Sequence, residues 1–333
     1  MAENDTLHTI DNGSHDPMRI VALDAYGVNP GDISWEPFKA LGKFDVFDNT
    51  PRELLGSRAG QADAILVNRM RIGAKELDTM PRLRYIGAFA TGYNFIDTAE
   101  AARRGITVTN IPAYSTMSVA QATWALLLEV CNHTAFYDKL SHSGQWSGMP
   151  GFDYQPHPLI ELDGKQIGVI GLGNIGHAVG RMADAFGMKV AAYTSRPQES
   201  LPAGWIKMDL PTLMKTSDVV SVHCPLTPQS RNLVNAEMIA SMKPGAIFIN
   251  TARGAIADEN ALADALNEGR IHAGLDVLGH EPPEPGCRLL SARNCIVTPH
   301  VAWATRETRN RAITEAAANL KAYISGNPVN VVG

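Results

Sequence analysis

Short apolar runs without polar alternation recur along the chain, each followed by a segment with helical spacing. The first series is Ile20–Leu23, Phe44–Phe47, Ala64–Val67, Tyr85–Ala90 and Thr107–Asn110. Runs that are apolar on both faces suit strands of a parallel sheet covered by helices on both sides. A long helix is predicted over Ser118–Asn132, where Val119, Ala122, Leu126 and Val130 fall on one face. Gly144–Pro158, rich in Gly and Pro, breaks the pattern and predicts a loop. A second series then opens with Gln166–Ile170, Lys189–Tyr193, Trp205–Met208 and Val219–His223, and continues with Ala246–Asn250, Ala273–Val277 and Cys295–Thr298. The alternation predicts an α/β chain of two doubly wound parallel-sheet domains, although no residue-level repeat links the halves. Ala304–Ser325 is Ala-rich and helical, with Gly326 as its stop and Pro328 beyond. Residues 1–17 are polar and read as a mobile tail.

Composition narrows the class of partner. The 333 residues are 45% hydrophobic and 19% charged, with a net charge of −5 and no basic run. This balance argues against nucleic acid or an anionic membrane surface. The longest apolar stretches, such as Ala125–Leu128, fall far short of the roughly 18 residues of a membrane span. Without a basic start or an apolar signal core, the expected location is the cytoplasm. Cys131, Cys224, Cys287 and Cys295 are widely spaced and form no C-x-x-C pair. They are expected to be reduced, mostly buried thiols, with no disulfide and no metal site.

Gly171-Leu172-Gly173-Asn174-Ile175-Gly176 is a G-x-G-x-x-G segment between a predicted strand and a predicted helix. In that context Gly171 permits the tight turn, Gly173 lets a pyrophosphate reach the backbone, and Gly176 lets helix and strand pack closely. The helix N-terminus adds unpaired amides and the positive end of its dipole, so Asn174 and Ile175 join the candidate dinucleotide contacts. A plain strand-to-helix turn is the bland alternative. The next strand ends in Tyr193-Thr194-Ser195-Arg196, without the acid that holds the ribose of NAD. The hydroxyls of Thr194 and Ser195 with the guanidinium of Arg196 suit a 2′-phosphate, which favours NADP(H) and leaves NAD open. A solvated loop arginine is the other reading.

Further chemistry gathers at the carboxyl ends of the second series: His223, Arg253, Asp276 and His300, with Glu281 in the loop after Asp276. Ligands of open parallel sheets bind beyond those ends. Hydride transfer to a ketone needs an acid, and an imidazole near its ordinary pKa of about 6.5 suits the task. A neighbouring carboxylate orients the ring, and an arginine holds a substrate carboxylate with paired bonds. Taken singly, His300 could be a satisfied core histidine, Glu281 a loop solvator and Arg253 a surface ion-pair partner. Asn68-Arg69-Met70 ends a strand of the first series, and Trp303 lies three residues beyond His300. These residues either line the substrate or simply pack.

Several segments together are similar to the D-isomer-specific 2-hydroxyacid dehydrogenase family over nearly the whole chain after residue 18. They are Ala90-Thr91-Gly92-Tyr93-Asn94, Gly171–Gly176, His223-Cys224-Pro225-Leu226, Asn250-Thr251-Ala252-Arg253-Gly254, Leu275-Asp276-Val277, Glu281-Pro282-Pro283 and Thr298-Pro299-His300. Pro112–Thr116 and Leu23–Glu36 most resemble the glycerate dehydrogenase, or hydroxypyruvate/glyoxylate reductase, branch. The resemblance implies a Rossmann-type cofactor domain (114–304) inserted in a flavodoxin-like substrate domain (18–113 with 305–333). It implies that Arg253, Glu281 and His300 are catalytic, and that amides near Thr91 and Gly92 hold the substrate carboxylate. On the coenzyme side it implies contacts from His223, Cys224, Pro225, Thr251 and Ala252, with Asp276 on the nicotinamide carboxamide. A homodimer through the cofactor domains, involving the loop around Trp146, is also implied. Thr194 stands where many members carry Asp, and Leu278-Gly279-His280 replaces the commoner aromatic and acidic residues. The activity implied is reduction of glyoxylate or hydroxypyruvate, to glycolate or D-glycerate, with NADP(H). The alternative is a non-enzymatic, NAD(H)-sensing protein of the same fold that binds partners.

Overall fold

The computed structural model describes residues 17–148 and 157–333. Residues 1–16 of the expected tail and 149–156 of the predicted loop therefore lie outside the described residues. The chain divides into two compact units: one runs to Tyr114 and resumes at Arg306–Gly333, and the other is Ser115–Thr305.

In the first unit β1 (Arg19–Ala22), β2 (Lys43–Val46), β3 (Ala64–Val67), β4 (Tyr85–Ala88) and β5 (Thr107–Thr109) form a sheet. All neighbours are parallel, in the flavodoxin-like order β2-β1-β3-β4-β5. β3 and β4 are buried along their whole length, which explains their unbroken apolar sequence. The final helix, Arg306–Ile324, packs on β4, where Tyr323 meets Tyr85 with ring centroids 5.0 Å apart. Gly326 then ends it with φ +78°, a conformation open to glycine. Asn319, 2% exposed, ties this helix to the sheet. Its Nδ2 donates to Asn110 O at 2.9 Å, and its oxygen accepts from Asn330 Nδ2 at 2.8 Å.

In the second unit β6 (Gln166–Ile170), β7 (Lys189–Tyr193), β8 (Ile206–Lys207), β9 (Val219–Val222), β10 (Ile247–Asn250), β11 (His272–Leu275) and β12 (Cys295–Val297) form a seven-stranded sheet. The order β12-β11-β10-β9-β6-β7-β8 is the Rossmann arrangement with one added strand, and again every pair is parallel. Two doubly wound α/β units, one inserted in the other along the chain, agree with the predicted fold class.

Successive residues of a strand serve opposite faces. Phe248 joins one core cluster with Val220, Val222 and Leu262, while Ile247 and Ile249 join another with Trp124, Val169 and Val179. The second cluster is closed by the helix Thr116–Asn132, which begins two residues before its predicted start. Trp124 on that helix stacks on Phe186 at 4.5 Å. Cys131 is buried and the other three thiols are half-buried, so burial is less complete than expected; all four are free.

Replacing Asn319 by Leu strands the Asn110 carbonyl and the Asn330 amide. The change is expected to destabilise the chain by about 1–3 kcal/mol, the usual net worth of two hydrogen bonds. Urea denaturation of the two proteins checks it.

Candidate active site

The parallel sheet of the second unit sets the candidates of that unit at one edge. Beyond the carboxyl ends, in spatial order, stand His300 after β12, Asp276 after β11, Thr251–Arg253 after β10, His223–Pro225 after β9, Gly171–Gly176 after β6 and Thr194–Arg196 after β7. With strands about 4.8 Å apart, this row spans about 24 Å. The strand order reverses between β9 and β6, the crevice at which doubly wound sheets take their ligands.

His300 and Glu281 meet. Nδ1–H of His300 donates to Glu281 Oε2 at 2.6 Å, while Oε1 accepts from Leu278 N–H at 3.0 Å. A carboxylate only accepts, so the proton sits on Nδ1, and Nε2 is the ring nitrogen that Glu281 does not hold. Both side chains keep solvent access, 22% for His300 and 28% for Glu281. His300 has φ +56°, and its N–H closes a tight turn onto Thr298 O at 2.9 Å. Such a backbone persists only where its surroundings hold it. Much of that hold comes from Asp276, which is 1% exposed. Its carboxylate accepts from Thr298 Oγ1 at 2.6 Å and from the amides of Val301 and Ala302, each at 2.9 Å. Trp303 Nε1–H adds a bond to His300 O at 3.2 Å.

Arg253 lies on the adjoining loop, shaped by buried Asn250. That amide side chain donates to Arg253 O at 2.9 Å and accepts from Ala252 N–H at 3.0 Å. Arg253 Nη1 donates to Ala252 O at 2.7 Å. A Cβ on Gly254 would fall 2.0 Å from the Leu278 carbonyl carbon, so this loop presses against the one that carries Glu281. Glu259 pins the same contact, accepting from Gly279 N–H at 2.6 Å. Thr123 and Thr251 share a buried hydroxyl bond of 2.9 Å. Asn250 and Thr298 fall within segments that carry the family resemblance, with no role implied for them there, and Glu259 shows no sequence signal. An Asn or Thr at a strand end is the mark the first two offer.

The glycine segment fits a pyrophosphate. Gly171 has φ +94°, and a Cβ there would lie 2.6 Å from Cys224 N; one on Gly176 would lie 2.1 Å from Gly171 O. Gly173, at the start of the helix Asn174–Ala185, faces open space that a side chain would fill. Room, free amides and a helix N-terminus together form an anion cradle. Thr194 is half-buried, Ser195 and Arg196 are exposed, and Thr194 Oγ1 accepts from Arg196 N–H at 3.2 Å. His223 shares a 2.7 Å hydrogen bond between Nε2 and Ser221 Oγ. Burial pulls its imidazole down to about 3, so the ring stays neutral.

Four candidates belong to the first unit. Asn68 and Arg69 follow β3, while Thr91 and Gly92 follow the neighbouring β4. Thr91 Oγ1 donates to Ile111 O at 2.7 Å, and Thr91 O accepts from Asn110 Nδ2 at 2.7 Å. Among the described residues no helix is long and apolar enough to cross a membrane.

Comparison with known proteins adds three kinds of likeness. The family model described as D-isomer specific 2-hydroxyacid dehydrogenase, NAD binding domain, matches residues 124–302. The chain is 44% identical to a hydroxypyruvate reductase of Blautia hydrogenotrophica over 320 residues, covering 95% of this chain and 99% of that one. It is 38% identical to a glycerate dehydrogenase of Methylorubrum extorquens, covering 94% and 98%. Among solved structures, an NADPH-dependent glyoxylate/hydroxypyruvate reductase of Sinorhizobium meliloti, in complex with NADP and malonate, superposes with a TM-score of 0.81. Its identity is 31%, and the match covers 96% of this chain and 97% of that one.

His223 yields a pH prediction. Its folded pKa lies below the unfolded value, so the unfolded chain binds the extra proton as pH falls. The stability it contributes is complete above about pH 6.5 and is lost progressively toward pH 3, by at most about 1.4 kcal/mol per pH unit. Denaturation at pH 7, 6 and 5 is expected to show this slope in the wild type and a shallower one in His223→Gln.

Proposed function

The chain belongs to the D-isomer specific 2-hydroxyacid dehydrogenase family, and from that membership we propose that it reduces glyoxylate or hydroxypyruvate, preferentially with NADPH. The observation that carries this reading is the 2.6 Å pairing of His300 with Glu281 on a sheet edge that also holds Arg253 and the glycine cradle. An Arg, a Glu and a His of this kind answer the needs of hydride chemistry. A protein that only sensed the coenzyme and bound partners would not need them.

When bound, the dihydronicotinamide supplies a hydride to the carbonyl carbon. The chain's own residues do the rest. Arg253 takes the substrate carboxylate in paired bonds and polarises the adjacent carbonyl. As the carbonyl oxygen gains charge, His300 delivers one proton to it from Nε2, with Glu281 holding Nδ1–H and the plane of the ring. Oxidation runs the same path backwards, with neutral Nε2 taking the hydroxyl proton. The product is glycolate from glyoxylate or D-glycerate from hydroxypyruvate.

Gly171, Gly173, Asn174, Ile175 and Gly176 serve the pyrophosphate, and Thr194, Ser195 and Arg196 the 2′-phosphate. His223, Cys224, Pro225, Thr251, Ala252 and Asp276 line the remainder of the coenzyme. Asn68, Arg69, Thr91, Gly92 and Trp303 contact the keto acid. A cytoplasmic homodimer joined through the cofactor domains completes the reading.

His300→Ala is expected to lower kcat by about 10²- to 10⁴-fold, the weight of a positioned acid. Arg253→Gln is expected to lower kcat/KM by on the order of 1.5–3 kcal/mol for each charged bond removed. Stopped-time assays with glyoxylate measure both, and a wild-type rate in His300→Ala rejects the assignment. Coenzyme choice is read separately, with NADPH and NADH each tested against glyoxylate, hydroxypyruvate, pyruvate and a bulky 2-keto acid. Faster turnover with NADPH on the two small polar acids is expected; equal or faster use of NADH overturns the role given to Thr194–Arg196.

A further inference from the structure

Asp24 lies just past the end of β1 and plays no part in the chemistry above. Its carboxylate is wrapped by three consecutive backbone amides: Asn68 N–H donates to Oδ1 at 2.8 Å, and Arg69 and Met70 N–H donate to Oδ2 at 2.7 and 2.8 Å. The sheet register explains the meeting. Ala22 stands opposite Leu66 in the parallel pair, and Leu23 N–H continues the ladder to Leu66 O at 3.0 Å. Two residues past that pair, Asp24 therefore comes level with Asn68. The backbone ladder stops there and a side-chain anion takes over, gathering the 68–70 amides into a nest.

The turn is also held from its other side. Asn68 is 7% exposed. A Cβ on Gly27 would come within 2.9 Å of Asn68 Nδ2. Burial raises the Asp24 carboxyl above its ordinary range, while the three amides and the Arg69 guanidinium oppose the shift. Because Asp24 consumes all three amides, the turn has no backbone donor left for a ligand. What it can offer an anionic substrate is the Asn68 carboxamide and the Arg69 guanidinium. The geometry points to Asp24 as a positioning residue for keto-acid binding, one that fixes the 68–70 turn so that these two side chains, not its amides, meet the substrate.

The inference rests on the reading that Asn68 and Arg69 contact the keto acid, so its test carries both. Asp24→Asn removes the charge and sets an N–H₂ group against amides that need an acceptor. Asp24→Glu keeps the charge but displaces it by one methylene. Each full-length variant, with Asn68→Ala and Arg69→Ala beside it, is assayed with glyoxylate and hydroxypyruvate, and Tm and the Kd for NADPH are measured.

Asp24→Asn is expected to raise the keto-acid KM by about tenfold to a hundredfold, the scale on which a displacement near 1 Å is felt. Its kcat should change by less than about threefold, as for an interaction made equally in the ground and transition states, and its Kd for NADPH should not change. Asp24→Glu should show a smaller rise, and it decides the matter alone if the Asn variant does not fold. If the Asn68 and Arg69 variants raise KM while the Asp24 variants leave it at the wild-type value, or lower only kcat, the inference is overturned and the turn's substrate role stands. A normal KM in both Asn68→Ala and Arg69→Ala overturns that role and the inference with it, whatever Asp24→Asn does.

Discussion

A parallel sheet can be built only if each crossover returns the chain to the end from which the previous strand began. That constraint organises the second unit. Every strand then releases its loop at the same edge, and residues far apart in sequence come within a strand or two of one another. Asn250, Leu275 and Val297 are the last residues of three neighbouring strands, and the next few residues after each hold Arg253, Asp276 and His300. No local feature of the chain brings those groups together; the hydrogen-bond register of the ladder does.

The edge is also where a backbone loses its ladder partners, so its amides and carbonyls need others. In this chain short polar side chains at the strand ends supply them. Asp276 takes three bonds from the turn around His300, Asn250 makes two to the loop of Arg253, and Glu281 bridges Leu278 N–H and the imidazole. These groups spend their hydrogen-bonding capacity on protein atoms. A left-handed His300 survives because the turn on either side of it is held. The chemistry and the local stability are thus built from one set of bonds, and a ring held in this way need not search for its orientation during reaction.

The same division explains what was readable from the residues alone. Strands buried on both faces leave continuous apolar runs, so β3, β6 and β7 carry their predicted limits unchanged. The glycine segment was legible because its turn, its close approach and its helix start are all local. The resemblance implies a coenzyme contact for Asp276, and the bonds its carboxylate makes within the protein run to Thr298, Val301 and Ala302. Asp24 offers no comparable local signal. Its three donors lie 44 to 46 residues away in sequence, and a carboxylate beside a strand carries no mark of what it will meet. Which residue types collect at an edge is written locally, but which of them bond to one another is decided by register.

Register also separates two tasks. Thr194–Arg196 follows β7 and His300 follows β12, five strand spacings or about 24 Å apart. Substitutions more than about 7–10 Å apart with no shared partner act nearly independently. The turn after β7 lies across the sheet from Asp276, Glu281 and Asn250, and Thr194 Oγ1 bonds within that turn. A change at Thr194 is therefore expected to leave the imidazole and its supports unreached. Arg253 is different, because its loop abuts the Leu278–Gly279 backbone next to Glu281. Changes there reach the backbone that carries Glu281. On the proposed reading, a change of coenzyme preference at this far turn leaves His300 untouched, whereas the roles given to Arg253 and His300 are coupled through their abutting loops.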